Sequence, residues 1–71
     1  MDKMKEMLEN NYKYHAPKEG QPEKYEELRK TAKEFACLCV AFCPESRERS
    51  LALTKIEEAV MWANASIARN E

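Results

Sequence analysis

One loop of the chain and the helix that follows it carry side chains suited to recognising a nucleotide. Tyr12, Tyr14 and His15 lie just before Pro17, and Arg29 and Lys30 follow on the next predicted helix. Flat aromatic faces stack on nucleobases, and fixed cations bind phosphates. The structural alternative is that these tyrosines are half-buried plugs that close the open end of a helical hairpin.

A second group of binding candidates lies at the predicted start of the last helix, where Ser46 precedes Arg47 and Arg49. Free backbone N–H groups and the positive end of the helix dipole favour an anion at such a place. The two arginines add fork-shaped donors for phosphate. The plainer interpretation is a capped helix whose arginines lie in water.

The remaining residues do not form a recognisable catalytic or metal-binding motif. His15 has no Ser or Cys nucleophile with an orienting carboxylate at a recognisable spacing, and Gly20 stands outside any glycine-rich phosphate loop. Cys37, Cys39 and Cys43 could be counted with His15 as zinc ligands, but Cys37 and Cys39 project to opposite sides of a helix. We expect no enzymatic activity, no metal and no cofactor, and we expect the cysteines to pack as small buried hydrophobes.

Composition and charge narrow the class of protein further. The chain has 71 residues, of which 44% are hydrophobic, and 12 Lys and Arg against 13 Asp and Glu leave a net charge of −1. Without a basic arm or a basic recognition face, binding to duplex nucleic acid and a helix-turn-helix regulator are disfavoured. The longest apolar stretch, Phe35 to Cys43, is too short to span a bilayer. We expect a cytoplasmic protein that carries no export signal and keeps its cysteines reduced.

Apolar residues at three- and four-residue spacing predict three helices in a single domain, residues 1–71. A short helix covers residues 1–11, with Met1 in its apolar stripe, and a loop covers residues 12–21. Two long helices follow, over residues 22–43 and 46–69. The connection between them is so short that they must be antiparallel neighbours.

The apolar faces of the two long helices predict how they pack. A heptad seam marks the first long helix, and it consists of Tyr25, Leu28, Ala32, Phe35, Cys39 and Phe42. The stripe of the second comprises Leu53, Ile56, Val60, Ala63 and Ile67, widened by Leu51, Ala59 and Trp62. Because the segment Phe35 to Cys43 is apolar on every side, one hairpin partner cannot cover it. We therefore predict an all-α helical hairpin with a short N-terminal helix, assembled as a homo-oligomer.

Residues 12–70 resemble a known family. The similar segments are Tyr14–Pro17, Gly20–Pro22, Tyr25–Arg29, Ser46–Lys55, Glu57–Ala65 and Ile67–Asn70. They are similar to the phage anti-CBASS cyclic-oligonucleotide sponges, whose hairpin domain is shared with sponges that counter the Thoeris defence. This chain departs from the family in its short connection between the long helices and in its three cysteines.

The resemblance implies a helical hexamer, a trimer of dimers, without catalytic activity. Such proteins bind cyclic dinucleotides such as cGAMP, and cyclic trinucleotides, in the cytoplasm of the infected host. They withhold these messengers from the effectors that would kill the cell. A different class stays open, in which the chain is a helical oligomeric adaptor that binds another protein through its apolar faces.

The resemblance also implies two separate pockets formed between protomers. Those expected to bind a cyclic dinucleotide are Tyr14, His15, Pro17, Arg29 and Lys30. Those expected to bind a cyclic trinucleotide are Arg49, Thr31, Ala52 and Arg47. In the first pocket Tyr14 would stack on a base, and Arg29 of a neighbouring subunit, or the adjacent Lys30, would bind phosphate.

Overall fold

This computed structural model describes residues 2–71. They contain three α-helices joined by loops, and no strands. Helix α1 covers Asp2–Tyr12, α2 covers Gln21–Phe42 and α3 covers Arg47–Asn70. Each predicted helix end that falls among the described residues lies within one residue of these bounds. Met1, which the sequence assigns to the first helix, lies outside the described residues.

Local sequence explains where the two long helices begin. Gly20 precedes α2 with φ +85°, a left-handed conformation that glycine adopts without steric cost, and Pro22 lies in the first turn. Pro44 follows the end of α2 and prevents its continuation. The Ser46 hydroxyl accepts a hydrogen bond from the backbone N–H of Arg49 at 3.1 Å, so the predicted cap of α3 is confirmed.

Contacts at both ends make α2 and α3 an antiparallel hairpin. At one end the Arg49 guanidinium donates from Nη1 to the carbonyl of Cys43 at 3.3 Å. At the other end Gln21, in the first turn of α2, donates from Nε2 to the Glu71 carboxylate at 3.5 Å. The two helices pack along their length between these ends.

The packed faces agree with the predicted stripes only in part. The five residues of the main α3 stripe are half-buried as predicted, but the flanking Leu51, Ala59 and Trp62 are exposed. On α2 the half-buried residues are Tyr25, Leu28, Ala32, Ala36 and Cys39. The predicted seam is wrong at Phe35 and Phe42, which are 56% and 79% exposed. A straight α-helix drifts by about 20° per heptad, so a strict heptad seam rotates away from the neighbouring helix.

The cysteines do not behave as buried hydrophobes in the single chain. Cys37 and Cys43 are exposed and Cys39 is half-buried, and all three are free thiols. Within residues 2–71 no three His, Cys, Asp or Glu side chains lie together in a way that could hold a metal ion.

The hairpin and α1 form a plate one helix thick. Its extents are 48 × 30 × 13 Å, and a single helix with side chains is about 10–12 Å across. The radius of gyration is 15.8 Å, whereas a compact chain of this length would have about 11 Å. No apolar side chain of the described chain is fully buried. Apolar surface is therefore spread over both faces, although none of the helices in residues 2–71 could cross a membrane.

Candidate functional site

A pocket of about 410 Å³ lies where the loop between α1 and α2 passes the end of α3. Its lining consists of Asn10, Lys13, Tyr14, His15, Ala16, Lys18, Ala68, Arg69 and Glu71. We call it the Tyr14 pocket, and its volume is within the usual range for small-molecule sites. Two predicted site residues, Tyr14 and His15, line it together, while Pro17 lies exposed in the same loop outside the lining.

Asn10 joins the three segments that build this pocket. The His15 ring donates from Nε2 to the backbone carbonyl of Asn10 at 2.8 Å, because a carbonyl oxygen only accepts. The Asn10 side chain donates from Nδ2 to the backbone carbonyl of Arg69 at 3.2 Å. The loop, the end of α1 and the end of α3 are therefore held to one another, whereas the Tyr14 side chain stays 82% exposed. An exposed ring on an anchored loop is suited to stacking.

The charge of the Tyr14 pocket is positive. The side chains of Lys13, Lys18 and Arg69 contribute three positive charges and that of Glu71 one negative charge, so the lining side chains carry +2 with His15 neutral. Cations of this density attract an anion, and a concave site strengthens their effect.

Glu71 accepts hydrogen bonds from two lysines, one at its side-chain carboxylate and one at its main-chain oxygen. The Lys24 ammonium donates to Oε2 at 2.7 Å, and Lys18 donates to the main-chain oxygen of Glu71. Gln21, which is only 3% exposed, accepts a hydrogen bond at Oε1 from the backbone N–H of Lys18 at 2.9 Å. The hydrogen bond from Lys24 holds the pKa of the Glu71 carboxyl below its ordinary value. Since both partners of the Lys24–Glu71 pair are exposed, water and salt screen it.

Arg29 and Lys30 lie elsewhere in the single chain. Arg29 lines an apolar groove of about 660 Å³ beside the α2–α3 contact, with Ala36 and Val40. Lys30 borders a separate depression next to Lys33. A second copy of the chain would have to bring either cation to the Tyr14 pocket.

The trinucleotide candidates fall into two neighbouring places. Thr31 and Ala52 line one groove of about 660 Å³ on the other side of the α2–α3 contact. Arg49 lies one helical turn before Ala52, with its guanidinium turned back to the carbonyl of Cys43. Arg47 is exposed at the first position of α3. The structure thus brings Thr31 and Ala52 together and leaves both arginines outside that groove.

Sequence reasoning missed three cations of the Tyr14 pocket. Lys13 and Lys18 lie in the same loop as Tyr14, and their closeness to it in sequence is a usable signal. Arg69 lies on the last turns of α3, and only the antiparallel pairing of α2 and α3 brings it to the loop. Its position could have been inferred from the predicted hairpin.

Comparison with protein families gives one match over most of the chain. The family model described as Acb2/Tad1, hairpin domain, matches residues 4–68. No curated protein and no solved structure matches the chain significantly. The matched residues include Tyr14 and every other site residue predicted from the sequence, whereas Arg69 follows directly after them.

Proposed function

The chain belongs to the Acb2/Tad1 hairpin-domain family, and from this membership and the pocket geometry we propose that it is a phage sponge for cyclic oligonucleotides. It binds these host messengers, including cyclic dinucleotides such as cGAMP, in the cytoplasm of the infected cell. By lowering their free concentration it prevents activation of CBASS effectors. A sponge needs tight binding and slow release and no bond cleavage, so we propose that the protein is not an enzyme.

The observation that carries the proposal is the exposed Tyr14 ring inside a positively charged pocket. A cyclic dinucleotide presents two flat bases and two phosphates. Stacking of a base on an aromatic ring contributes about 1–3 kcal/mol, and the positive side-chain charge of the lining is opposite in sign to the phosphates and attracts them. The anchoring of His15 to Asn10 at 2.8 Å keeps the loop in place before the ligand arrives, which lowers the entropy lost on binding.

We propose that assembly completes this site. Arg29, or the adjacent Lys30, reaches the Tyr14 pocket from a neighbouring copy, and Pro17 borders the base. Cyclic trinucleotides bind separately, at the groove of Thr31 and Ala52. Arg47 and Arg49 bind their phosphates from the nearby start of α3.

The assembly we propose is a hexamer, arranged as a trimer of dimers. The plate is 13 Å thick and buries no apolar side chain of the described residues. A chain of this size gains a hydrophobic core by packing such plates against one another. The grooves on both sides of the α2–α3 contact supply the apolar surface for that packing.

Replacing Tyr14 tests the binding site against a closely matched control. Tyr14→Ala is expected to weaken binding of 3′,3′-cGAMP by roughly 10- to 100-fold, because it removes stacking of about 1–3 kcal/mol. Tyr12→Ala is the control, since Tyr12 is 87% exposed two residues away and lies outside the pocket lining. Isothermal titration calorimetry measures both variants, and size-exclusion chromatography shows that each keeps the wild-type assembly. Equal affinities of the two variants would remove Tyr14 from the site.

A second function is favoured by the exposed apolar surface. Phe42 and Trp62 are 79% and 64% exposed, and such surface also suits an adaptor that binds another protein. The adaptor predicts no heat of binding and no thermal shift with any cyclic di- or trinucleotide. It also predicts that a partner protein occupies Phe42 and Trp62 in place of further copies of the chain.

A further inference from the structure

Arg69 is a lining residue of the Tyr14 pocket whose guanidinium has no hydrogen-bond or ion-pair partner within residues 2–71. Arg69 is half-buried at the end of α3 and lines the pocket. Within residues 2–71 neither of the two ion pairs involves it, and its only hydrogen bond outside the helix is made by its backbone carbonyl. Its charge is therefore available to an anion that enters the pocket.

The other cations near the pocket are less suited to hold a phosphate. Lys18 contacts the main-chain oxygen of Glu71, and Lys24 is paired with the Glu71 carboxylate. Lys13 is exposed, and its flexible stem loses more freedom on binding than a partly buried side chain does. Among these cations, only the guanidinium of Arg69 offers two parallel N–H donors to one phosphate.

The backbone of Arg69 is fixed relative to the stacking residue. Asn10 donates to the Arg69 carbonyl at 3.2 Å and accepts from His15, next to Tyr14, at 2.8 Å. One asparagine thus sets the position of both the end of α3 and the aromatic loop. The backbone that carries Arg69 and the loop that carries Tyr14 are thus held to a common anchor, which lowers the entropy lost when both bind one ligand.

We propose that Arg69 is a phosphate-binding residue of the Tyr14 pocket and contributes to the same chain's cyclic dinucleotide site. The inference rests on the proposed function, because the anion is a phosphate of that ligand. The guanidinium binds two phosphate oxygens while a base stacks on Tyr14. In this arrangement one phosphate is bound by Arg69 of the same chain. The other phosphate is bound by a residue of a neighbouring copy.

Arg69→Ala and Arg69→Lys test the proposal by calorimetry with 3′,3′-cGAMP. We expect Arg69→Ala to bind roughly 10- to 100-fold more weakly, the range for a lost charge-assisted contact. Arg69→Lys is expected to be intermediate, because it keeps the charge and loses the fork. Lys5→Ala is the control that removes the same charge from an exposed α1 position outside the pocket lining.

Titrations repeated at rising salt separate a phosphate contact from a purely structural role. If Arg69 binds phosphate, the affinity of Arg69→Ala falls less steeply with salt than that of the wild type. Wild-type affinity and salt dependence in Arg69→Ala would overturn the inference and leave the proposed function intact. Should Arg69→Ala fail to fold, full affinity of Arg69→Lys would overturn the bidentate contact. Absence of binding by the wild type would overturn the proposed function together with this inference.

Discussion

The Glu71 carboxylate, beside the Tyr14 pocket, shows how single side chains set the local charge. Lys24 donates to it at 2.7 Å and holds the pKa of its carboxyl below the ordinary value. A carboxyl with a lowered pKa in the folded protein stabilises the fold above its unfolded pKa. That contribution is lost as the pH falls through the folded pKa. Acidification therefore releases Lys24 from Glu71.

Lys24→Gln is expected to raise the pKa of Glu71 back toward its ordinary value, because the strongest donor to the carboxylate loses its charge. NMR titration of the Glu71 side-chain carboxyl measures the shift directly. Lys5→Gln, on the exposed surface of α1, is the control and leaves the pKa of Glu71 unchanged. An unchanged pKa in Lys24→Gln would contradict the hydrogen bond.

Tyr14 and Arg69 mark how far the pocket could be predicted from single residues. Tyr14 stands beside His15 in a loop rich in turn-forming residues, so its chemistry is visible in the local sequence. Arg69 lies far along the chain in an ordinary helical pattern. Its place in the pocket follows only from the tertiary structure, in which the end of α3 lies beside the loop and Asn10 binds the Arg69 carbonyl. Residues that belong to one pocket through tertiary pairing carry no local signal of that pocket.

At the scale of elements, the ends of the helices were more predictable than their faces. Gly20 tolerates a left-handed backbone, Pro22 suits the first turn of a helix and Pro44 cannot continue one, and these are local properties of the residues. The predicted seam of α2 failed at Phe35 and Phe42 because a strict heptad stripe drifts around a straight helix, away from the face that contacts α3. Spacing alone did not distinguish a face that packs within the hairpin from one that is left uncovered.

The cap of α3 provides a test at the scale of the element. Ser46→Ala removes the acceptor of the Arg49 N–H and should lower the free energy of unfolding by about 1 kcal/mol. Ser50→Ala is the matched control, because Ser50 is exposed inside the same helix and alanine favours helix formation. Urea unfolding followed by circular dichroism compares the two. A loss in Ser50→Ala as large as that in Ser46→Ala would contradict the capping role.

At the scale of the whole molecule, the shape of the chain links its folding to its function. Because the plate is 13 Å thick and has no fully buried apolar side chain in residues 2–71, we propose that it forms a core by packing against further copies. The segment Phe35 to Cys43 predicts this need from sequence, since it is apolar on every side. The proposed number of six copies per assembly rests on the family resemblance and not on the composition. Assembly would also bring Arg29 of one copy to Tyr14 of another, so that binding and folding depend on the same contacts.

Native mass spectrometry of the protein mixed with 3′,3′-cGAMP tests the central claim most directly, because one spectrum reports the assembly and the chemical state of its ligand. We predict a hexamer that carries several ligands, each adding the full mass of the intact cyclic dinucleotide. A monomer without ligand, or an assembly that carries a cleaved nucleotide, would contradict the account.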